Sequence, residues 1–134
     1  MISPVSAAKL MKATYTRLYA DAAGESHFAD VEAKLSAVDF SPPSPPLNLS
    51  QFLSATRMAF YGAPADWQSD WHPSAARNMF MVISGEWEIE TTDGKVRRFG
   101  PNSVLLCEDT TGKGHKSRVV SDSESLAIVV QLDR

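Results

Sequence analysis

Arg77 to Cys107 reads RNMFMVISGEWEIETTDGKVRRFGPNSVLLC, and this stretch decides the fold. Within it Glu86-Trp87-Glu88-Ile89-Glu90 alternates strictly, so a strand places Trp87 and Ile89 on one face and three carboxylates on the other. The carboxylates read as the solvated face of a hairpin. Asp93-Gly94 is a hairpin signal, because a type I′ turn needs positive φ at both central residues. Gly100-Pro101-Asn102 makes the next break. Strands are predicted at Arg77–Ile83, Trp87–Thr91, Val96–Phe99 and Val104–Cys107. Working outward, Ala55–Tyr61 precedes them, ended by Gly62, and His115–Val120 and Leu126–Leu132 follow. Short strands at this spacing, with no long helical pattern, predict an all-β sandwich or barrel.

Upstream, Ser6 to Lys12 reads as a short helix or a frayed end. Thr14 to Tyr19 alternates β-branched and aromatic residues, and Asp21-Ala22-Ala23-Gly24 reads as a turn. His27 to Phe40 reads as extended. Ser41-Pro42-Pro43-Ser44-Pro45-Pro46 then removes four backbone donors and fixes φ, which predicts a stiff, polyproline-like surface connector. Residues 1–50 therefore form an N-terminal arm and connector, and residues 51–134 a β-barrel. The two make one domain, since so short an arm cannot fold alone. Phe28, Val31, Leu35 and Phe40 give the arm apolar surface, and a homodimer held partly by this arm is expected.

Lys and Arg number 13 against 16 Asp and Glu, and no basic cluster resembles a phosphate-backbone footprint, so nucleic acid is not an expected partner. The single cysteine, Cys107, excludes an internal disulfide and reads as a small buried hydrophobe. No secretory leader and no 18-residue apolar run is evident, which predicts no membrane partner and a cytoplasmic location. Gly112-Lys113-Gly114-His115-Lys116-Ser117 lacks the glycine and the strand–loop–helix setting of a phosphate-binding loop.

His72 to Val119 resembles the two-part signature of the cupin superfamily. His72 takes the first histidine position and Gly85 the closing glycine of the first part. Gly112 and His115 match the second part, and Glu86 to Pro101 lie between the two. The phrases Arg17-Leu18-Tyr19-Ala20-Asp21, Gly24-Glu25-Ser26-His27-Phe28 and Glu108 to His115 are similar to those of small single-domain cupins. The resemblance implies a cupin-like double-stranded β-helix, a jelly-roll barrel, with an extended N-terminal arm. In metal-binding cupins three histidines and a glutamate meet on one ion inside the barrel. Here Ser74 stands at the second histidine position and Asn78 at the glutamate, so the implied metal site is degenerate, and Glu108, Asp109 or His27 would have to complete it.

Asn78, Phe80 and Val82 share the parity of His72, and Ser117 and Val119 share that of His115. The signature turns these positions into the barrel. His72, Asn78, Phe80, Val82 and His115 are thus the candidate binding residues for a small organic ligand, with Trp67 and Trp71 flanking the approach as ligand stacks or packing anchors. No metal ligand set or catalytic residue is assigned, and the cofactor is open, a divalent metal included. Two alternatives remain: a metal-dependent dioxygenase or isomerase using His72 and His115, and a structural or oligomeric module.

Overall fold

The computed structural model describes residues 11–133. The expected helix at Ser6–Lys12 lies largely outside them, and its last residue, Lys12, begins a strand. The described chain is all-β, with the strands β1 (Lys12–Ala20), β2 (Ser26–Lys34), β3 (Ser36–Val38), β4 (Leu47–Leu49), β5 (Ala55–Ala63), β6 (Asn78–Ser84), β7 (Trp87–Thr91), β8 (Val96–Phe99), β9 (Val104–Cys107), β10 (His115–Val119) and β11 (Ser125–Leu132). Two sheets carry the barrel. One runs β2-β1-β9-β6-β11-β5 and the other β10-β7-β8. Bridges Gln68↔Arg118 and His72↔His115 lay the segment before β6 along the free edge of β10, extending the second sheet by one row.

This strand order is that of a jelly roll. The sheets β5-β11-β6-β9 and (68–72)-β10-β7-β8 are antiparallel throughout, and the chain crosses between them as it winds. Between the sheets pack Leu18, Val82, Trp87, Ile89, Phe99, Leu105 and Val119, with Phe28, Trp67, Phe80 and Cys107 against them. Trp87 is held inside by its own polar end, whose Nε1–H donates to Ser125 Oγ at 2.7 Å. The opposite face of β7 carries Glu88, paired with Arg98 and Arg118 on the neighbouring strands.

The segment before the prolines is built into the larger sheet. β1 pairs with β2 along its whole length and runs parallel to β9. Phe28 turns inward against Phe99, with ring centroids 6.0 Å apart, so it cannot serve as free interface surface. The proline segment is a hairpin turn rather than a straight spacer, because β3 and β4 pair antiparallel on either side of it. Nor does Gly62 end its strand: β5 is an edge strand, and its register with β11 carries on to Ala63.

The outer face of the larger sheet is apolar. Phe60 and Met81 both pair with Ile128, and Met58 and Met79 with Val130, so these side chains share one face. Met58, Phe60, Ile83 and Leu126 are exposed on it.

Candidate functional site

A cavity of about 250 Å³ opens between the two sheets. Tyr61 from β5, Asn78 and Phe80 from β6 and Val129 from β11 line it from the larger sheet. Trp87 and Ile89 from β7 and His115 and Ser117 from β10 face them, and His72, Pro73, Ser74 and Ala75 form the rim. The volume corresponds to about eight water molecules. Tyr61 and Phe80 meet edge to face at 5.4 Å, and Phe80 and Trp87 at 5.7 Å, which gives the cavity a rigid aromatic wall.

Of the predicted residues, His72, Asn78, Phe80 and His115 line this cavity together. Val82 does not. It lies further along β6 and fills the core at 3% exposure. Trp67 packs on Trp87 at 5.6 Å, and Trp71 is exposed; neither lines the cavity. Cys107 lines it from β9, its thiol pushed up to about 12 by burial and then by the carboxylates of Asp109 and Glu108.

The two histidines are fixed by what their Nδ1 atoms touch. His115 Nδ1 lies 2.6 Å from Asp109 Oδ2, and His72 Nδ1 lies 2.8 Å from the backbone oxygen of Asp70. Both partners can only accept when the carboxyl is ionised, so both Nδ1 atoms carry hydrogen. Each neutral ring then has a bare Nε2. The ring centroids are 4.8 Å apart, and His72 and His115 exchange backbone hydrogen bonds of 3.0 and 2.9 Å. Asp109 itself is fully buried. Its other carboxylate oxygen accepts from Ser74 Oγ at 2.7 Å, and its backbone oxygen accepts from Ser74 N at 2.9 Å. Ser74 thus stands at a histidine position of the signature and serves as a prop for Asp109.

Asn78 Oδ1 is the one buried side-chain oxygen or nitrogen among the described residues with no hydrogen-bond partner. Leaving such an acceptor dry costs about 1–3 kcal/mol.

The residues present do not fit a resident metal ion. Among the described residues no group of three His, Cys, Asp or Glu side chains is placed to hold one. The expected substitutes are engaged elsewhere. Glu108 is clamped between Arg17 and Arg77, His27 sits between Asp21 and Asp93, and Asp109 spends its oxygens on Ser74 and His115. A ligand set of two imidazoles is short of what structural or catalytic zinc sites use.

No family model matches the chain, and no curated protein does. Among solved structures, the chain is similar to the Cnp3 cupin domain of Schizosaccharomyces pombe. Identity is 14%, covering 92% of this chain and 84% of that one, with a TM-score of 0.44. The fold is cupin-like, a double-sheet jelly roll by its strand order. Protein NMB1881 from Neisseria meningitidis aligns at 13% identity over 57% of this chain and 74% of that one, with a TM-score of 0.41. A Salmonella typhimurium protein described as ethanolamine utilization protein Q aligns at 12% over 92% and 97%, with a TM-score of 0.30. No helix among the described residues is long and apolar enough to cross a membrane.

Proposed function

We propose that this cupin-like protein binds a small organic molecule inside its barrel, and that the molecule presents hydroxyl or amino hydrogens to the cavity. The observation that carries the reading is the unpaired, buried Asn78 Oδ1. A ligand donor that reaches it after a small shift of the Asn78 side chain, whose Oδ1 is closed to a water-sized probe, recovers the cost of desolvating it. The Nε2 atoms of His72 and His115 are acceptors too when the rings are neutral, so the polar side of the cavity favours donors. The wall of Tyr61, Phe80, Trp87, Ile89 and Val129 favours an apolar or C–H-rich face on the same molecule. The cavity size suits about ten non-hydrogen atoms. Simple carboxylates, which bring acceptors against acceptors, are the poorer class.

A thermal-shift screen of small polyols, amines, hydroxy-carbonyl compounds and carboxylic acids tests this. Ligand at a hundred times its Kd stabilises by about 2.7 kcal/mol. Donor-rich hits should lose their effect in Asn78→Leu and His72→Ala. The substitution at His115 should be Gln rather than Ala, because removing the ring outright leaves one carboxylate oxygen of the buried Asp109, Oδ2, without its partner. Hits that shift wild type and all three variants equally contradict the proposal.

A further inference from the structure

The two edges of the larger sheet differ in kind. β2 is one edge, and Asp30, Glu32 and Lys34 stand exposed along it, a charged pattern that discourages another strand from adding. β5 is the other. It is nine residues long, every residue but Ala63 is exposed, and its register with β11 is unbroken from Arg57 to Ala63. It holds no proline, lysine or acidic residue, and its one charge, Arg57, donates to Gln131 on β11. Among the described residues no backbone group of another segment pairs with its outer edge. The face toward the cavity is uncovered as well, since Arg57 and Ala59 share the parity of Tyr61 and all three are exposed. A long, apolar edge without charges of its own to guard it is a template for pairing.

We propose that a second copy of this chain takes that edge, with β5 pairing antiparallel to β5 of the partner about a twofold axis at Ala59. Full overlap of Ala55–Ala63 with its own copy centres on Ala59, and the strand is self-complementary in that register. Phe60 falls opposite the partner's Met58 on the outer face. Tyr61 falls opposite the partner's Arg57 on the face toward the cavity, and the axis repeats each pair. Side chains directly opposite on antiparallel strands are close enough to touch. Thioether against aromatic ring and guanidinium against aromatic ring are both attractive contacts. Phe52 and Leu53, exposed just before β5, lie where the partner's strand ends. At about 200 Å² for each whole side chain, the bare parts of Phe52, Leu53, Met58, Phe60 and Tyr61 come to roughly 600 Å² per copy. The strand backbone and the small residues add to that, against about 800 Å² per partner in a standard interface. The pairing is isologous, so it closes at two copies, and the charged β2 edges stop further growth. Because Tyr61 also lines the cavity, the partner's Arg57 comes to the edge of the ligand site.

The test uses the full chain without ligand, so it stands apart from the binding proposal. Wild type at tens of micromolar should scatter light with the mass of a dimer. Ala59→Cys sets two thiols opposite one another across the axis, so mild oxidation should give a covalent dimer. Glu32→Cys, on the β2 edge, should not cross-link. Wild type, with Cys107 alone, is the oxidation blank. Ala59→Lys sets like charges opposite one another at an exposed position. It should keep the wild-type circular-dichroism spectrum and fall to the monomeric mass. A monomeric wild type overturns the inference. So does a dimer that folded Ala59→Lys leaves intact, or one that cross-links through Glu32→Cys and not through Ala59→Cys.

Discussion

Gly114 is the residue on which the His72–His115 bridge depends, and Gly114→Ala measures that dependence. Its φ is +76°, and a Cβ built there would meet the carbonyl carbon and oxygen of His72 at 2.0 Å and Pro73 N at 2.3 Å. Two separate costs follow. A non-glycine residue in the left-handed region costs about 1–2 kcal/mol. The clash is with backbone, so the segment carrying His72 must retreat by roughly an ångström or more to reach ordinary van der Waals contact. The bridge bonds of 2.9 and 3.0 Å do not survive that movement, at a loss of about 1 kcal/mol each. Together these make about 3–4 kcal/mol, and for a chain of this length roughly 10–14 °C in Tm. Gly94→Ala is the control. Its φ is +86°, but nothing lies within 4 Å of its Cβ, so only the backbone cost applies, about 4–7 °C. Thermal denaturation followed by circular dichroism reads both. If Gly114→Ala melts no lower than Gly94→Ala, the crowding of His72 by residue 114 is not real, and the rim of the cavity is built otherwise.

His27 places one ring nitrogen 2.6 Å from Asp21 Oδ2 and the other 3.0 Å from Asp93 Oδ2, tying the β1–β2 turn to the β7–β8 turn. The hydrogen bond His27 donates to Asp21 raises the histidine's pKa above the ordinary 6.5, and the same bond lowers that of Asp21 below 3.8. A raised histidine stabilises fully below its unfolded value and loses that contribution as pH rises through the folded one; the lowered aspartate loses its own as pH falls below 3.8. Tm should therefore fall from mildly acidic pH through neutrality, and His27→Gln should flatten that decline; an unchanged slope in the variant would refute the role of His27. Cys107 should resist iodoacetamide at pH 8 in the native protein and react readily once unfolded, because burial holds the thiol neutral; rapid native labelling would show the cavity to be wet around it. A second copy of this chain is proposed to cover the face of Met58, Phe60, Ile83 and Leu126. A standard interface takes about 800 Å² from each partner, and Met58, Phe60, Ile83 and Leu126 are 55%, 69%, 45% and 40% exposed. Light scattering should give a dimer that Phe60→Asp dissociates, and a monomeric mass at tens of micromolar would contradict it.

The strands that the sequence predicts best are those whose signals are local. Trp87–Thr91, Val96–Phe99 and Val104–Cys107 agree with β7, β8 and β9 at both ends, because alternation and turn chemistry both act within a few residues. Parity also places His115, Ser117 and Val119 on the buried side of β10. Contacts made across the fold left no such trace. Nothing local says that Asp109, in a loop, turns inward to His115, or that Glu108 beside it turns to Arg17 and Arg77. The parallel pairing of β1 with β9 is equally remote in sequence, and it is what converts the supposed arm into part of the sheet. Val82 has the parity of a cavity residue, but parity gives the face and not the depth, and four residues beyond Asn78 the barrel is already filled.

The most direct measurement is a crystal structure of the protein grown with a compound that stabilises wild type but not Asn78→Leu. The compound should lie between the two sheets, with a hydroxyl or amino group within about 3 Å of Asn78 Oδ1, the normal hydrogen-bond range. Its apolar face should rest on Phe80 and Trp87, and His72 and His115 should approach its polar groups through Nε2. A compound found outside the barrel, or an Asn78 Oδ1 still unpaired beside a bound compound, would contradict the assignment of this cavity as the ligand site.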